Sequence, residues 1–364
     1  MSVQKKLVKE GFTKMKLTRK TASLGAVTAG LAMLLTGLPS SAASATTMAS
    51  KAWVIGVSNG YYGNTARVEY QAELKAYAAT PAVKPLIKKL IINNAGTSVA
   101  AQISAVDGMI AEHVNAIILD SNSLTGLNPA IAAAHKDGIV VVAVNDDVTS
   151  TLAYHIQTVG QQFGATMAQN FVKLLGGKGN IVVLRGIAGN AVDAAEASGF
   201  SSVFSKYPGI KVLATVYPEW DDAMAQTDMA SLLSRYNDIN GVFTEGGMEQ
   251  GVVRAYVAAH AKFVPVTGTD ENGFACQLKQ YHSQGLEGVQ VGTAIYAYAL
   301  ALKTALGALS GHTEPNLVPI QWETWNTAQS IQQCNPKYSA GLFLQTESPS
   351  AGIDVPPAVV NSYL

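Results

Sequence analysis

The sequence predicts an α/β protein of two similar lobes, each a doubly wound parallel sheet. Two observations predict it. Short runs dominated by Val and Ile, such as Ile139–Val144, fit strands buried on both faces, as in parallel sheets. These runs alternate with stretches of helical length, and the alternation occurs in two successive series.

In the first series Ala52–Val57 is a predicted strand and 65–79 a helix. Lys88–Asn93 is a strand, 97–113 a helix, Asn115–Asp120 a strand, 127–137 a helix and Ile139–Val144 a strand. The second series begins with a helix over 160–175. It continues with strand Asn180–Leu184, helix 191–206, strand Ile210–Val216, helix 222–235, strand Gly241–Thr244 and helix 248–261. Strand Phe263–Gly268, helix 273–284, strand Gly288–Val291 and helix 293–310 complete it. From residue 314 the chain is rich in Pro and Ser with weak periodicity, and reads as crossover strands plus a tail packed over a lobe.

The chain has 364 residues, a length that suits about two domains. Hydrophobic residues are 48% and charged residues 14%, enough apolar material for a substantial core. Lys and Arg number 25 against 25 Asp and Glu, so no basic field points to a nucleic-acid partner.

The charges are unevenly spread. Residues 1–20 carry Lys5, Lys6, Lys9, Lys14, Lys16, Arg19 and Lys20 against one acid, Glu10. Ala22 to Leu38 is uncharged and largely apolar, and Ser40 to Ala45 are small residues. This is the pattern of a secretory signal peptide over 1–45, with Ala43-Ser44-Ala45 as its A-x-A site and cleavage expected after Ala45. Met15 begins a more typical signal peptide and is the alternative start. An uncleaved anchor is the competing reading, but the apolar run is short for a bilayer span, which needs about 20 residues. Cleavage would remove seven basic residues and one acid, leaving 18 against 24 and a formal charge of −6. A periplasmic or secreted protein is expected.

Cys276 and Cys334 are the only two cysteines, too few for a disulfide-built scaffold or a multi-thiolate zinc site. In an exported chain they can be read as a disulfide or as two buried thiols.

Ligands of doubly wound sheets bind outside the carboxyl ends of the strands. The first predicted strand is followed by Ser58, Asn59, Tyr61, Tyr62, Asn64 and Arg67, the third by Asp120, and the fourth by Asn145 and Asp146. The second series supplies Asn190, Trp220, Glu245 and Asp270 at the same kind of position. Asn and Asp exchange hydrogen bonds with hydroxyl groups, Tyr and Trp faces cover the C–H face of a sugar ring, and Arg offers a fixed fork of donors. Asn, Asp and Gly also dominate ordinary turns. The combination of Trp, a Tyr pair and Arg67 at one sheet end favours a cleft for a polyol. No cluster of metal ligands and no general-base histidine is visible, so no metal, cofactor or enzymatic activity is expected.

Four stretches in this order resemble the periplasmic sugar-binding proteins of ABC importers, the ribose-binding-like type I family. IGVSNGYYGNTARVEY resembles its first strand and cleft loop, and NAIILDSNSLTGLNPAIAAAHKDGIVVVAVND its next strand–helix–strand segment. GNIVVLRGIAGNAVDAAEASGF resembles its G-x-x-G loop and following G-F, and VPVTGTDENG its G-x-D strand end. The resemblance covers about residues 51–312.

It implies two lobes joined by a three-crossover hinge and closing on a monosaccharide or polyol, an ABC permease as partner, and a monomer. The lobes would be 46–158 plus about 292–320, and 159–291 plus about 321–364 with the tail. Arg67 occupies the position of an arginine in galactofuranose-binding-like members, with Ala66 where those have Trp. Ser58, Asn59, Tyr61, Tyr62 and Asn64 lie in the matching first loop, Asn190 in the matching second-lobe loop, and Asp270 matches the ligand-binding Asp. Asn145 and Asp146 stand where ribose binders have Asp-Arg, Glu196 replaces an Arg that commonly contacts sugar, and Gly246-Gly247 replace an Asn-Asp type pair. Gly292 falls near a hinge Gln, with Gln290 close by. A cleft lacking two arginines and carrying Glu196 is not expected to prefer ribose.

Three other functions compete. Gly56-Val57-Ser58-Asn59-Gly60 fits G-x-S-x-G, the nucleophile elbow of a serine hydrolase, with His260, His282 or His312 as bases. It would sit on the first strand, with no preceding half-sheet to build an oxyanion loop. A sugar-responsive repressor would need a helix-turn-helix where the signal peptide stands. A sensor that presents its ligand to a membrane receptor shares every feature of the importer reading.

Overall fold

The structure, a computed structural model of the chain, describes residues 52–364. The expected signal peptide and its cleavage site lie outside the described residues. The chain opens with β1 (Trp53–Asn59), α1 (Thr65–Ala78), β2 (Ile87–Asn94), α2 (Val99–Ala111), β3 (Ala116–Asp120), α3 (Asn128–Lys136), β4 (Val140–Val144) and β5 (Tyr154–Ile156). These strands form a five-stranded parallel sheet in the order β2-β1-β3-β4-β5.

The second series runs α4 (Gln161–Leu174), β6 (Lys178–Leu184), α5 (Ala191–Phe204), β7 (Gly209–Val216), α6 (Asp222–Arg235), β8 (Gly241–Thr244), α7 (Glu249–Ala258), β9 (Val266–Thr269), α8 (Asn272–Tyr281) and β10 (Gly288–Val291). It is followed by α9 (Ala297–Leu309), β11 (Thr324–Asn326), α10 (Thr327–Gln333) and α11 (Pro357–Asn361). The second sheet has the order β7-β6-β8-β9-β10-β11 and is parallel except for β11, which runs antiparallel to β10. Each series thus places its first strand between its second and third, so each sheet has a switch point beside that strand.

The apolar runs are buried on both faces, and alternate residues serve different cores. On β3 and β4, Ile118, Val142 and Val144 join one buried cluster, while Ile117, Leu119, Val141 and Ala143 join another on the opposite face. On the second sheet Val182, Leu184 and Val242 face one cluster and Ile181, Val183 and Phe243 the other. Full burial of a Val, Leu, Ile or Phe side chain contributes about 1.5–3 kcal/mol, so a polar residue within these runs would cost a core on either face.

The chain passes between the sheets near residues 157–160, 292–296 and 317–323. After β10 it crosses to the first sheet, where α9 packs on α1, β3 and β4. It then returns to pair β11 with β10. Trp322 Nε1 donates to Thr158 O at 2.7 Å, tying two of these passages together. The tail makes a fourth passage. α10 packs on α8, and Cys276 and Cys334 are joined by a disulfide at that point. Beyond it Ile353, Val355 and Val360 enter the cluster that holds Ile55, Val57 and Ile118 of the first sheet. The expectation that residues 321–364 belong to the second lobe therefore holds poorly for the tail, whose apolar end fills the first lobe's core.

Candidate functional site

At the carboxyl end of the first sheet, β1 ends at Asn59 and β3 at Asp120. Asn64 caps α1, its Oδ1 accepting from Arg67 N at 3.0 Å, and this fixes Arg67 in the first helical turn, beside those strand ends. The Arg67 guanidinium, 13% exposed, donates through Nη1 to Asp120 and through Nη2 to Asp146 Oδ2 at 2.6 Å. With its amide oxygen turned to the guanidinium, Asn145 accepts from Nη1 at 2.5 Å and Nη2 at 3.0 Å and donates to Thr158 Oγ1. Burial works against the guanidinium's charge, but Asp146 together with the Tyr298 and Tyr70 phenols outweighs it and holds the pKa above its ordinary value.

A second layer supports this pair. Tyr298 of α9 donates to Asp120, lies 3.1 Å from Asn59 Oδ1, and stacks on Tyr70 with centroids 4.9 Å apart. Burial pushes the Tyr298 phenol's pKa up, so it remains a donor. Asn59 Nδ2 donates to Asn94 Oδ1 at 2.8 Å, and Gln71 Nε2 to the same oxygen at 3.1 Å. Tyr61 is exposed at the rim and Tyr62 is half-buried.

The second sheet builds a matching wall. Arg185, directly after β6, holds Asp193 through Nε and Nη2 at 3.0 and 2.7 Å and donates to the Tyr217 hydroxyl at 3.1 Å. Its guanidinium carbon lies 5.1 Å from the Tyr217 ring centroid. Glu245, after β8, accepts from Gly186 N at 2.7 Å, and burial pushes its pKa up to about 8. Glu196 on α5 is 2% exposed, and its Oε2 has no hydrogen-bond partner. Burial, then the charges of Glu245, Asp193 and Asp146, push its pKa well above the ordinary range. Asp146 belongs to the first wall and Glu196 to the second, so the two walls sense each other's charge. Trp220 sits at φ +59° against Gly186, where an added Cβ would come within 2.1 Å of the indole. Asn190 caps α5, accepting from Val192 N at 2.7 Å.

Of the sequence-predicted residues, Asn59, Arg67, Asn145 and Asp146 meet in one network, while Asn64 and Asn190 position helices. Asp270 and Gln290 make no direct hydrogen bond to that network. Asp270 is fully buried, and its two oxygens accept from Thr293 N and Oγ1, Leu344 N and Gln345 N at 2.8, 3.0, 2.9 and 2.6 Å. Four donors fill the four lone-pair sites of a carboxylate, so this side chain clasps the tail and has no acceptor left for a ligand. Gln290, also fully buried, donates to Thr269 O and Glu271 O. Ser58 is fully buried within β1 rather than on the turn after it, which contradicts the nucleophile-elbow reading.

Arg185, Asp193, Thr158 and Tyr298 were not predicted. Arg185 was within reach, because it directly follows a predicted strand. Tyr298 was not, because it arrives from a helix that crosses between the lobes.

Residues 55–309 match the family model described as periplasmic binding protein domain, and the four resembling stretches lie wholly within them. A xylitol-binding protein of Mycolicibacterium smegmatis is 34% identical over 223 residues, 60% of this chain and 63% of that protein. A D-apiose import binding protein of Paraburkholderia graminis is 29% identical over 172 residues, 46% of this chain and 55% of that protein. The chain therefore spans less than two thirds of the length of these curated relatives. A periplasmic solute-binding protein of an Actinobacillus succinogenes ABC transporter, solved with bound D-allose, shares the fold with a TM-score of 0.65 at 24% identity, over 78% of this chain and 100% of that one. The binding protein of the Shewanella arabinose transporter gives 0.68 at 21% identity, over 77% and 93%.

Proposed function

The chain belongs to the periplasmic binding protein domain family, and we propose that it is an exported solute-binding protein that captures a monosaccharide or polyol between two lobes and delivers it to an ABC permease. The observation that carries this reading is the pairing of two buried polar walls, one on each sheet. Asn59, Asp120 and Asp146 stand at the ends of β1, β3 and β4 with Arg67 at the start of α1, and Arg185 and Glu245 at the ends of β6 and β8 with Asp193 and Glu196 on α5. Such walls offer fixed acceptors to hydroxyl groups, and Tyr61, Tyr217 and Trp220 offer ring faces to a sugar's C–H surface. Relatives named for binding xylitol and importing D-apiose support the ligand class. A ligand touching both walls favours the closed arrangement, because only closure supplies both sets of contacts. The closed form is what the permease recognises, and the protein acts as a monomer after cleavage behind Ala45.

A thermal-shift screen of monosaccharides and polyols tests the reading. A ligand present at 100 times its dissociation constant adds about 2.7 kcal/mol of stability, and about 2–4 °C of melting temperature accompanies each kcal/mol in a chain of this size. At least one neutral compound is expected to raise the midpoint by several degrees. A flat response to pentoses, hexoses, furanoses and sugar alcohols alike would sink the proposal.

A further inference from the structure

Carboxyl groups around the cleft outnumber guanidiniums. Five carboxyl groups, Asp120, Asp146, Asp193, Glu196 and Glu245, stand beside two guanidiniums, Arg67 and Arg185, and burial favours the protonated form of Glu196 and Glu245. Both guanidiniums are already spent on protein partners. Arg67 gives its terminal nitrogens to Asp120, Asp146 and Asn145. Arg185 gives Nε and Nη2 to Asp193 and Nη1 to Tyr217. Several buried acceptor atoms, by contrast, are unclaimed. Glu196 Oε2 and Asp146 Oδ1 have no hydrogen-bond partner, Glu245 Oε1 has only the Arg185 Nε 3.4 Å away, and the Glu196 and Glu245 side chains are more than nine-tenths buried.

A buried polar atom without a partner costs free energy until something donates to it. An anion brought here would find no free guanidinium fork, an arrangement that opposes binding. A hydroxyl or ammonium donor would meet acceptors already in place.

We propose that Glu196, together with Asp146 and Glu245, makes the cleft an acceptor-rich site that selects ligands presenting hydroxyl or ammonium donors and rejects acidic sugars. This rests on the sugar- or polyol-binding reading above and assigns to Glu196 the choice among such ligands. The physical cause is the reversal of polarity at one position. An arginine there would offer donors to a ligand's oxygens; Glu196 offers only acceptors, or one donor and one acceptor when protonated.

The test uses matched trios on three skeletons, xylitol, D-ribose and D-galactose. Each trio holds the neutral compound, its aminodeoxy analogue and its acid, and binding to the purified protein is measured by calorimetry at pH 7. On any skeleton that binds, the neutral and amino compounds are expected to bind at least tenfold more tightly than the acid. Glu196→Gln, which keeps the side chain's shape, should narrow the ratio of acid to neutral dissociation constants by at least threefold, and Glu196→Arg should invert it. Circular dichroism and melting curves establish that both variants are folded. An acid that binds the native protein as tightly as its neutral parent, or a ratio that neither variant moves, overturns the inference and leaves the proposed function standing. Failure of all nine compounds to bind overturns both.

Discussion

Glu73 lies on the buried face of α1 with neither carboxyl oxygen hydrogen-bonded. Burial, and after it the charge of Glu347, pushes its pKa up to about 9. In the unfolded chain a glutamate ionises near pH ~4.3. Between these values the folded state holds a proton that the unfolded state has released. The group's stability is therefore fully present below the lower value and is lost as pH rises toward the upper one. Urea midpoints of the native protein are expected to fall from pH 5 to 9, and Glu73→Gln should flatten that fall by up to about 1.4 kcal/mol per pH unit. Glu196, Glu245 and Glu249 are raised by burial in the same direction, so part of the slope should persist. An identical slope in the variant would refute the assignment. Single residues also mark where sequence reading stops. Arg67 was legible because a strand end and a helix start bracket it. The tail contacts of Asp270 were not legible, because the segment that supplies them is about 75 residues away in sequence and its approach leaves no local pattern.

Among the elements, α4 and α5 cross at two glycines. A Cβ on Gly199 would stand 1.9 Å from Gln161 O, and one on Gly164 2.3 Å from Glu196 O. Backbone faces backbone on both sides, so neither contact can be relieved by a side-chain rotation. Overpacking of this kind costs about 1–3 kcal/mol or more. Gly199→Ala should lower the melting temperature by several degrees, and because Glu196 lies on the same helix, ligand affinity should fall with it. An unchanged melting temperature would mean that the crossing yields more readily than its spacing implies. The long elements were legible for the reason that makes them stable: β1, β3, β4 and β6 are continuous apolar runs with a core on each face. The short ones were not. Three-residue β5 and β11 and seven-residue α10 are too brief to carry a period. Pro265 delays β9 to Val266, and residues 293–296, read as helix, form the passage into α9.

At the scale of the whole molecule the tail joins the lobes. Asp270 at the end of β9 and Glu69 on α1 both accept backbone N–H groups from residues 343–345, and the disulfide between Cys276 and Cys334 anchors the start of that segment to α8. Asp270→Asn would turn an amide NH2 toward two of four buried donors. At about 1–3 kcal/mol for each stranded donor, a loss of about 2–6 kcal/mol is expected in guanidinium unfolding. A variant of native stability that no longer binds sugar would instead make Asp270 a ligand contact. Glu69 meets Phe343 across 274 positions of sequence. A contact of that separation closes a very large loop, and proteins dominated by such contacts fold slowly. Until Phe343 arrives, the Glu69 carboxylate has none of the donors that offset its burial, so the first lobe is expected to stay unfinished through the making of the second. The two halves look like independent domains in their sheets, but the order in which they can be completed is set by the strand of chain that laces them together last.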